Sequence, residues 1–546
     1  MMKLVDTCAQ DILDTEAVLD TAHVGDIRGA FGTIALGDTG PRDTWRRRLS
    51  TLMAVIGPGL IVMVGDNDAG AFGTYTQAGQ NYGTGLLWTL LLLVPVLYVN
   101  QEMVLRLGAV TRVGHGRLIL ERFGRFWGAF SVIDLFLLNA LTIVTEFIGI
   151  ALALDYLGLP RQWGVAAAAL IIVASAATGS FRRFERIALL LVGASLLLVP
   201  VLIWVHPPVA QVAHDLVVPG LPHKGALGDV MLLIIAIVGT TVAPWQLFFQ
   251  QSYVIDKRIT PRFLRYESVD LVLGIVLVLV GGIAMMAFAA AAFAGRPEFG
   301  HFQDALGVAA ALGRAGGHAA GVCFAVALLD ASVIGAMAVS LSTAYAVGDV
   351  LAIRHSLHRK PGEAKGFFAV YAGLVALAAG LVLTPGTPLG LLTNAVQTLA
   401  GVLLPSATVF LLLLCNDKAV LGPWVNGKWL NLFTGMVIAV LVMLSTVLTA
   451  AVLFSDISER AILAILGVGA VFTLAVGGWL VFARSEEAPV LPRWKMERWH
   501  MPPLAQLAPA TMTPLAKLWM VVLRGYLVIA GGLVLYRIIR LSIGGH

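Results

Sequence analysis

Two polar clusters interrupt apolar stretches of this 546-residue sequence and hold the side chains best suited to chemistry. Residues 65–70 read Gly-Asp-Asn-Asp-Ala-Gly, which places two carboxylates and an amide beside glycines. Residues 239–246 read Gly-Thr-Thr-Val-Ala-Pro-Trp-Gln, with a proline inside an apolar run. Carboxylate and amide oxygens are ligands for hard divalent cations, and a proline interrupts the hydrogen bonds of a helix. The two clusters therefore predict a cation site at two broken helices.

The elements that carry these clusters are transmembrane helices. The sequence is 58% hydrophobic and 13% charged, with a mean hydropathy of +0.86, far from the average of soluble domains. Apolar stretches long enough to cross roughly 30 Å of hydrocarbon recur from residue 51 onward, about twelve in all. Cys8, Cys323 and Cys415 lie far apart and match neither a disulfide framework nor a Cys-x-x-Cys metal site. We therefore predict an all-α polytopic membrane protein whose surroundings are the lipid bilayer.

The basic residues assign the loops to two sides of the membrane. Lys and Arg are concentrated in loops at residues 106–125, 182–186, 257–265 and 354–360. The connections at 77–84 and 385–388 carry none. Because positive residues accumulate in cytoplasmic loops, this pattern predicts a multi-pass protein of the plasma (inner) membrane with a cytoplasmic N-terminus. The same distribution accounts for the net charge of +5 without a nucleic-acid partner.

The two broken helices occupy corresponding positions, as the first spans of two five-span halves. Unwound backbone is tolerated in a membrane only where protein buries it or it lines a cavity. Discontinuous helices at matching positions are typical of the central site of an inverted-repeat secondary transporter. The sequence thus predicts breaks near 65–70 and 240–245 around one site. Gln246, Gln250 and Gln251 follow the second break as a polar stripe, for which packing between helices is slightly favoured over lining a vestibule.

Several short motifs occur one after another along residues 51–454. The run from Gly57 through Trp88 contains Gly-Pro-Gly-Leu, a mid-helix Asp-x-Gly and a closing Gly-x-x-Leu-Leu-Trp. Further motifs are Gln101, Arg106-Leu107-Gly108, Thr145-Glu146-Phe147-Ile148-Gly149, Ala243-Pro244-Trp245, Gln397 through Pro405, Asn416-Asp417-Lys418 and Trp429-Leu430-Asn431. Together they resemble the Nramp family of divalent-metal transporters. The resemblance implies a LeuT-type fold, with two inverted five-helix repeats and about two or more C-terminal helices.

The resemblance also implies the ligands of the site. Where the family has Asp-Pro-Gly-Asn, residues 68–71 read Asp-Ala-Gly-Ala, and where it has Met-Pro-His, residues 243–245 read Ala-Pro-Trp. The positions expected at the metal are Asp66, Asp68, Gly65, Thr240, Ala243 and Gln397, with Gly65 and Thr240 contributing carbonyl oxygens. The positions expected to shape the site are Asn67, Gly70, Ala71, Pro244 and Trp245.

The departures from the family pattern bear on the choice of ion. Ala71 and Ala243 carry no side-chain ligand, and the lost thioether is the ligand that favours softer transition metals. A site of carboxylates and waters suits Mg²⁺, a pattern similar to the magnesium-transporting branch of the family. Asp66 and Asn67 are placed to restore charge or oxygens lost elsewhere. Asp66 also has a second interpretation, in which it lines the entry path or caps a half-helix.

Proton coupling is expected to be weak or absent. Glu146 matches the third-span glutamate on the family's proton route, so the resemblance implies a role in a proton or polar network. The nearby family Asp is Ile143 in this sequence, and the family His is Trp245. A single buried acid without relay partners is expected to stay hydrogen-bonded rather than to carry protons.

The regions outside residues 51–454 are interpreted more coarsely. Residues 1–50 have no apolar stretch after Met1 and are expected to form a mobile cytoplasmic tail, or a short amphipathic helix over residues 8–20. Residues 455–546 are expected to add membrane helices and a loop. The segment 517–538 fits a further span or an interfacial helix equally well, because Arg524 lies in its middle.

The sequence excludes several other functions. It contains no phosphate-binding Gly-x-x-x-x-Gly-Lys-Ser/Thr loop, no His-Glu-x-x-His and no nucleophile elbow. We therefore predict no enzyme, no cofactor and no obligatory protein partner, with a divalent cation, Mg²⁺ or Mn²⁺, as the substrate of a secondary transporter. Two alternatives stay open: a sodium- or proton-coupled symporter of an organic solute such as an amino acid, and a membrane-embedded enzyme that uses intramembrane carboxylates.

Overall fold

The computed structural model describes residues 16–222, 225–384, 396, 405–453, 458–482 and 492–510, with scattered positions between 517 and 528. Its helices are α1 (Trp45–Val55), α2 (Pro58–Val64), α3 (Ala69–Tyr82), α4 (Trp88–Thr111), α5 (His115–Phe123), α6 (Arg125–Tyr156), α7 (Arg161–Ala176), α8 (Phe181–Ala194), α9 (Leu198–Val205), α10 (Val209–Val217) and α11 (Leu227–Thr241). They continue with α12 (Pro244–Asp256), α13 (Leu264–Phe293), α14 (Ala305–Gly316), α15 (His318–Leu351), α16 (Lys365–Leu383), α17 (Pro405–Cys415), α18 (Lys418–Leu421), α19 (Lys428–Leu453), α20 (Glu459–Phe482) and α21 (Arg493–Met496). The strands are β1 (Ile27–Arg28) and β2 (Thr33–Ile34).

Many of these helices are long and apolar enough to cross a membrane. Eight spans meet this test in the described part of the chain, or ten when two bent helix pairs each count as one span. The bent pairs are α1 with α2, at 49°, and α17 with the helical turns at 418–424, at 66°. Most of the segment 517–538, whose placement the sequence leaves open, lies outside the described residues. The chain is thus an all-α polytopic membrane protein, as the sequence predicts.

The first span is interrupted twice. It bends at Gly57, whose φ of +149° is a backbone conformation that favours glycine. Pro58 then begins α2, where its missing N–H is not needed. Helix α2 ends at Val64, and α3 begins only at Ala69. The four residues between them, 65–68, carry the first polar cluster.

The span formed by α11 and α12 has one short interruption. Helix α11 ends at Thr241, and α12 begins at Pro244. Val242 and Ala243 join the two halves in extended or irregular backbone. Proline at the first position of α12 explains why a new helix begins there. Its fixed φ suits a helix start, and its ring prevents one continuous helix through this position.

The long helices α13 and α15 hold both broken spans in place. Helix α13 packs on α2 and α3, and α15 packs on α6 and α12, while α12 also contacts α4. The side chains at the two interruptions are buried, including the whole of α12. The breaks therefore meet inside the protein rather than at the lipid surface.

The N-terminal segment lies against one end of the bundle, which we call the basic end because the arginine-rich loops lie there. Strands β1 and β2 form a two-stranded antiparallel hairpin. Ile27 and Ile34 of the hairpin are buried in one apolar cluster with Ala54 and Val55 of α1. Residues 16–44 belong to the segment predicted as a mobile tail, and they make the contacts with the bundle that are described below; the mobility of the segment stays a prediction. The predicted helix at 8–20 falls mainly outside the described residues.

Candidate metal-binding site

Three polar residues occupy the interruption of the first span. Asp66, Asn67 and Asp68 are 0%, 4% and 3% exposed. Asp68 has extended backbone and is the N-cap of α3, where its Oδ1 accepts a hydrogen bond from the N–H of Ala71 at 2.9 Å. An aspartate at this position is favoured, because it satisfies an N–H that the helix leaves free. The cap fixes the Asp68 carboxylate at the start of α3.

Asp66 faces the other broken span. The Gln246 side chain of α12 donates a hydrogen bond from Nε2 to Asp66 Oδ1. Gln246 in turn accepts a hydrogen bond at Oε1 from Gln101 Nε2 of α4, at 3.0 Å. The second carboxylate oxygen, Asp66 Oδ2, is buried without a hydrogen-bond partner among the described residues. The amide chain thus holds one oxygen of Asp66 and leaves the other available.

Asn67 points in a different direction. Its Nδ2 donates to the carbonyl oxygen of Val278 on α13 at 3.2 Å. Gly281 makes room for the amide, since a Cβ at that position would lie 2.2 Å from Asn67 Nδ2. Asn67 therefore ties the break to α13, as expected for a residue that shapes the site.

The second break lies directly against the first. The Trp245 indole approaches Gly65, where a Cβ would lie 3.5 Å from the ring. Thr241 Oγ1 is 2.7 Å from the hydroxyl of Tyr75 on α3. Thr240 Oγ1 is buried and finds no partner in the described chain. Ala243 is 7% exposed and offers only backbone atoms to a ligand.

Glu146 of α6 adjoins the start of α3. Its Oε2 accepts a hydrogen bond from the N–H of Ala69 at 3.1 Å, and its carboxyl group is within hydrogen-bonding contact of Asp68. Gly335 of α15 allows this approach, since a Cβ there would lie 2.8 Å from Glu146 Cδ and 3.0 Å from Asp68 Cβ. Glu146 Oε1 remains without a described hydrogen-bond partner. In the part of the chain that the structure describes, Asp68 is the one acid in hydrogen-bonding contact with Glu146.

These positions define what the site can bind. Within the described residues, no group of three His, Cys, Asp or Glu side chains is placed to hold a metal ion. A cation at the breaks would therefore depend on one or two carboxylates, backbone or amide oxygens and water, which is the ligand set that Mg²⁺ tolerates. Gln397 lies outside the described residues, so its predicted role stays a prediction. The structure brings the other expected metal-site positions to the two adjoining breaks.

Sequence reasoning underestimated Gln246 and did not single out Gln101 for the site. It placed Gln246 in a polar stripe for which packing between helices was slightly favoured over lining a vestibule, whereas the side chain contacts Asp66. One signal was available, because Gln246 is the third residue of a half-helix that begins at the break. The Gln101 contact depends on how α4 packs on α12, which no local pattern reveals.

The architecture and the two breaks define a multi-pass membrane protein with the LeuT-type transporter fold. The sequence profile described as natural resistance-associated macrophage protein-like matches residues 59–451, and the chain belongs to this family, Nramp. The divalent metal cation transporter MntH of Ralstonia nicotianae is 32% identical over 395 residues, which cover 69% of this chain and 86% of the relative. MntH of Xylella fastidiosa is 27% identical over 451 residues, covering 79% and 90%.

A solved structure gives the same fold. The Eremococcus coleocola manganese transporter, crystallised with an aromatic bis-isothiourea substituted compound, aligns with a TM-score of 0.61 at 21% identity. The alignment covers 81% of this chain and 95% of that one. The family and the fold of the chain therefore agree with the resemblance seen in its motifs.

Proposed function

We propose that this protein moves divalent metal cations across the plasma membrane into the cytoplasm by alternating access. The observation that carries the proposal is the pair of buried carboxylates, Asp66 and Asp68, at the contact between two broken spans. The proposal includes no enzymatic step, no cofactor and no obligatory protein partner.

The charge of the site favours a cation. Among the described residues, no Lys, Arg or His lies within ion-pair distance of Asp66 or Asp68, so none of these side chains balances the two carboxylates. An uncompensated carboxylate inside a membrane protein costs several kcal/mol. A divalent ion would balance two carboxylates, whereas the carboxylate of an amino acid would add a third negative charge.

The ligand chemistry favours a hard ion. Ala243 provides no sulfur, and the oxygens left free at the breaks belong to carboxyl, hydroxyl and amide groups. Oxygen ligands suit Mg²⁺ and Mn²⁺ better than soft metals. We place Mg²⁺ first, because few protein ligands are available and Mg²⁺ keeps several of its waters.

The orientation follows from the basic end. We assign this end, with the N-terminus, to the cytoplasm, because arginines of four loops lie there. A cavity of about 890 Å³ lies at the opposite end, lined among others by Tyr82, Asp215 and Arg296, and would face the outside. An inside-negative potential then drives entry, with about 4.6 kcal/mol per 100 mV for a divalent ion.

Uptake into proteoliposomes tests the proposal. The purified protein is reconstituted, and Mg²⁺ or Mn²⁺ entry is followed with a metal dye together with internal pH. We expect saturable entry of both ions, faster with an inside-negative potential. Absence of metal entry, together with uptake of labelled amino acids, would instead support the organic-solute symporter.

A further inference from the structure

We propose that residues 16–44, here called the strap, lock the basic end of the bundle and must detach before an ion can leave toward the cytoplasm. The proposal rests on the proposed transport function. It is carried by contacts that join the strap to both broken spans, to α8 and to the loop after α15.

The first contact joins the strap to the loop that follows α15. Arg359 forms a two-pronged ion pair with Asp20, with Nε 2.9 Å and 3.0 Å from the two carboxylate oxygens. The backbone N–H of His355 donates to Asp20 Oδ2 at 2.9 Å. The Asp20 side chain is fully buried. A paired and buried carboxylate of this kind is costly to leave unpaired.

The second contact joins the strap to α8. Arg182 donates from Nε to the carbonyl oxygen of Gly29 at 3.0 Å, and Arg186 donates to that of Ala30 at 2.9 Å. The Ala30 N–H donates to Glu185 Oε2 at 2.6 Å. One turn of α8 therefore uses three charged side chains to hold two adjacent strap residues.

The third contact joins the strap to the two broken spans. Arg258, just after α12, donates to the carbonyl oxygens of Ala22 and Asp26, at 2.7–3.0 Å. The strap also packs on α1, because a Cβ at Gly29 would lie 1.9 Å from the carbonyl oxygen of Ala54. The strap thus contacts the ends of both broken spans that lie at the basic end, namely α1 and the residue that follows α12; we call these the inner halves. It also contacts α8 and the loop after α15.

A buried cluster of charged side chains connects the strap to the start of α2. Lys257 donates to Glu185 Oε1 at 2.6 Å and to the carbonyl oxygen of Ile56 at 2.8 Å. Asp270 of α13 accepts hydrogen bonds from the N–H groups of Gly57 and Gly59, at 3.1 Å and 2.6 Å. Glu185 therefore links the strap directly to the groups that hold the start of α2.

These contacts have a geometric consequence for alternating access. A path from Asp68 to the basic end requires an inner half of a broken span to move away from α8, α13 or α15. The strap crosses the boundary between these parts, so such a movement breaks its contacts. Because the contacts are numerous and partly buried, the strap favours the arrangement of the basic end that the structure shows.

A cleavable cross-link tests the proposal on the full-length chain. Cys8, Cys323 and Cys415 are first replaced by alanine, and Thr33→Cys and Arg182→Cys are introduced, since these two side chains are in contact. A bismaleimide with a reducible spacer then joins strap to α8. We expect cross-linking to lower Mg²⁺ uptake at least tenfold and reduction of the spacer to restore it. Equal uptake before and after reduction would overturn the proposal.

A second measurement does not depend on transport. Ser252→Cys places a thiol on α12 between the site and the basic end, at a position that is 5% exposed. We expect Asp20→Asn to raise the rate of its alkylation by a water-soluble maleimide several-fold, and Asp43→Asn, at an exposed acid of the same segment, to leave it unchanged. Equal alkylation rates in the two variants would refute the proposed role of the strap. Loss of uptake in every form of the protein, with Asp20→Asn still accelerating alkylation, would refute the transport function alone.

Discussion

Replacing Asp68 by asparagine should separate the two roles that the structure gives this residue. The side chain caps α3 through its hydrogen bond from the Ala71 N–H, and it contributes charge to the proposed ion site. Asparagine keeps the capping oxygen but removes the charge, whereas alanine removes both. We therefore expect Asp68→Asn to fold normally and to lose transport, and Asp68→Ala to lose transport and some stability.

The magnitudes follow from simple electrostatics. At an effective dielectric constant of about 20, a divalent ion about 4 Å from one carboxylate gains about 8 kcal/mol, much of which offsets desolvation. If about a third of this electrostatic energy remains after desolvation, removal of the charge weakens ion binding by about 2.7 kcal/mol, or roughly 100-fold. Loss of an N-cap costs about 1 kcal/mol of stability.

The assay combines ion affinity with thermal unfolding. Isothermal titration with Mg²⁺ and Mn²⁺ measures the affinity, and proteoliposome uptake measures transport. Asp304 provides a matched control, because it caps α14 by the same kind of bond, 2.9 Å from the Gly307 N–H, at the protein surface. Asp304→Asn and Asp304→Ala should leave the affinity unchanged. Normal affinity and uptake in Asp68→Asn would refute the assignment of Asp68 to the ion.

Three further outcomes are expected. Ala243→Met should raise the affinity for Mn²⁺ or Cd²⁺ relative to Mg²⁺ by adding a soft ligand; an unchanged ratio by titration would show that residue 243 does not face the ion. Glu146→Gln should leave the proton movement that accompanies metal uptake unchanged, near zero; a fixed proton-to-metal ratio, lost in this variant, would contradict weak coupling. Burial alone would lower the pKa of His355, but Asp349, 2.9 Å away, raises it to about 9. The ion pair therefore contributes about 3 kcal/mol to the free energy of unfolding below about pH 6.5, and this contribution is lost as the pH rises through about 9. Thermal unfolding measured across this pH range should show the loss, and Asp349→Asn should show much less of it.

The fold was predictable because its signals are local. Long apolar stretches define the spans, and Gly57, the cluster at 65–70 and Pro244 mark where helices cannot continue. The lipid environment strengthens these signals, since backbone groups must be satisfied within each helix. The same reasoning does not reveal the contacts of the strap. In most of its contacts an arginine side chain donates to a backbone carbonyl oxygen. Every residue has such an oxygen, so the sequence does not indicate which ones the arginines bind.

The candidate site was predictable only in part. The family resemblance drew attention to Asp68 and to the position of Ala243, and the polar cluster beside Asp68 drew attention to Asp66. Which partner each side chain takes depends on helix packing. The contact between Gln246 and Asp66 joins residues 180 positions apart, so only the three-dimensional arrangement reveals it.

The ion pair between Asp20 and Arg359 also bears on how the chain is assembled. Its partners are 339 residues apart in the sequence. At a synthesis rate of roughly 5–20 residues per second, Arg359 is made about 17–70 s after Asp20. During that interval most of the membrane helices are inserted while the buried partner of Asp20 does not yet exist. Docking of the strap is therefore a late event in biogenesis, and a truncated chain that ends before residue 359 would leave this acidic segment open to proteases that recognise incomplete proteins.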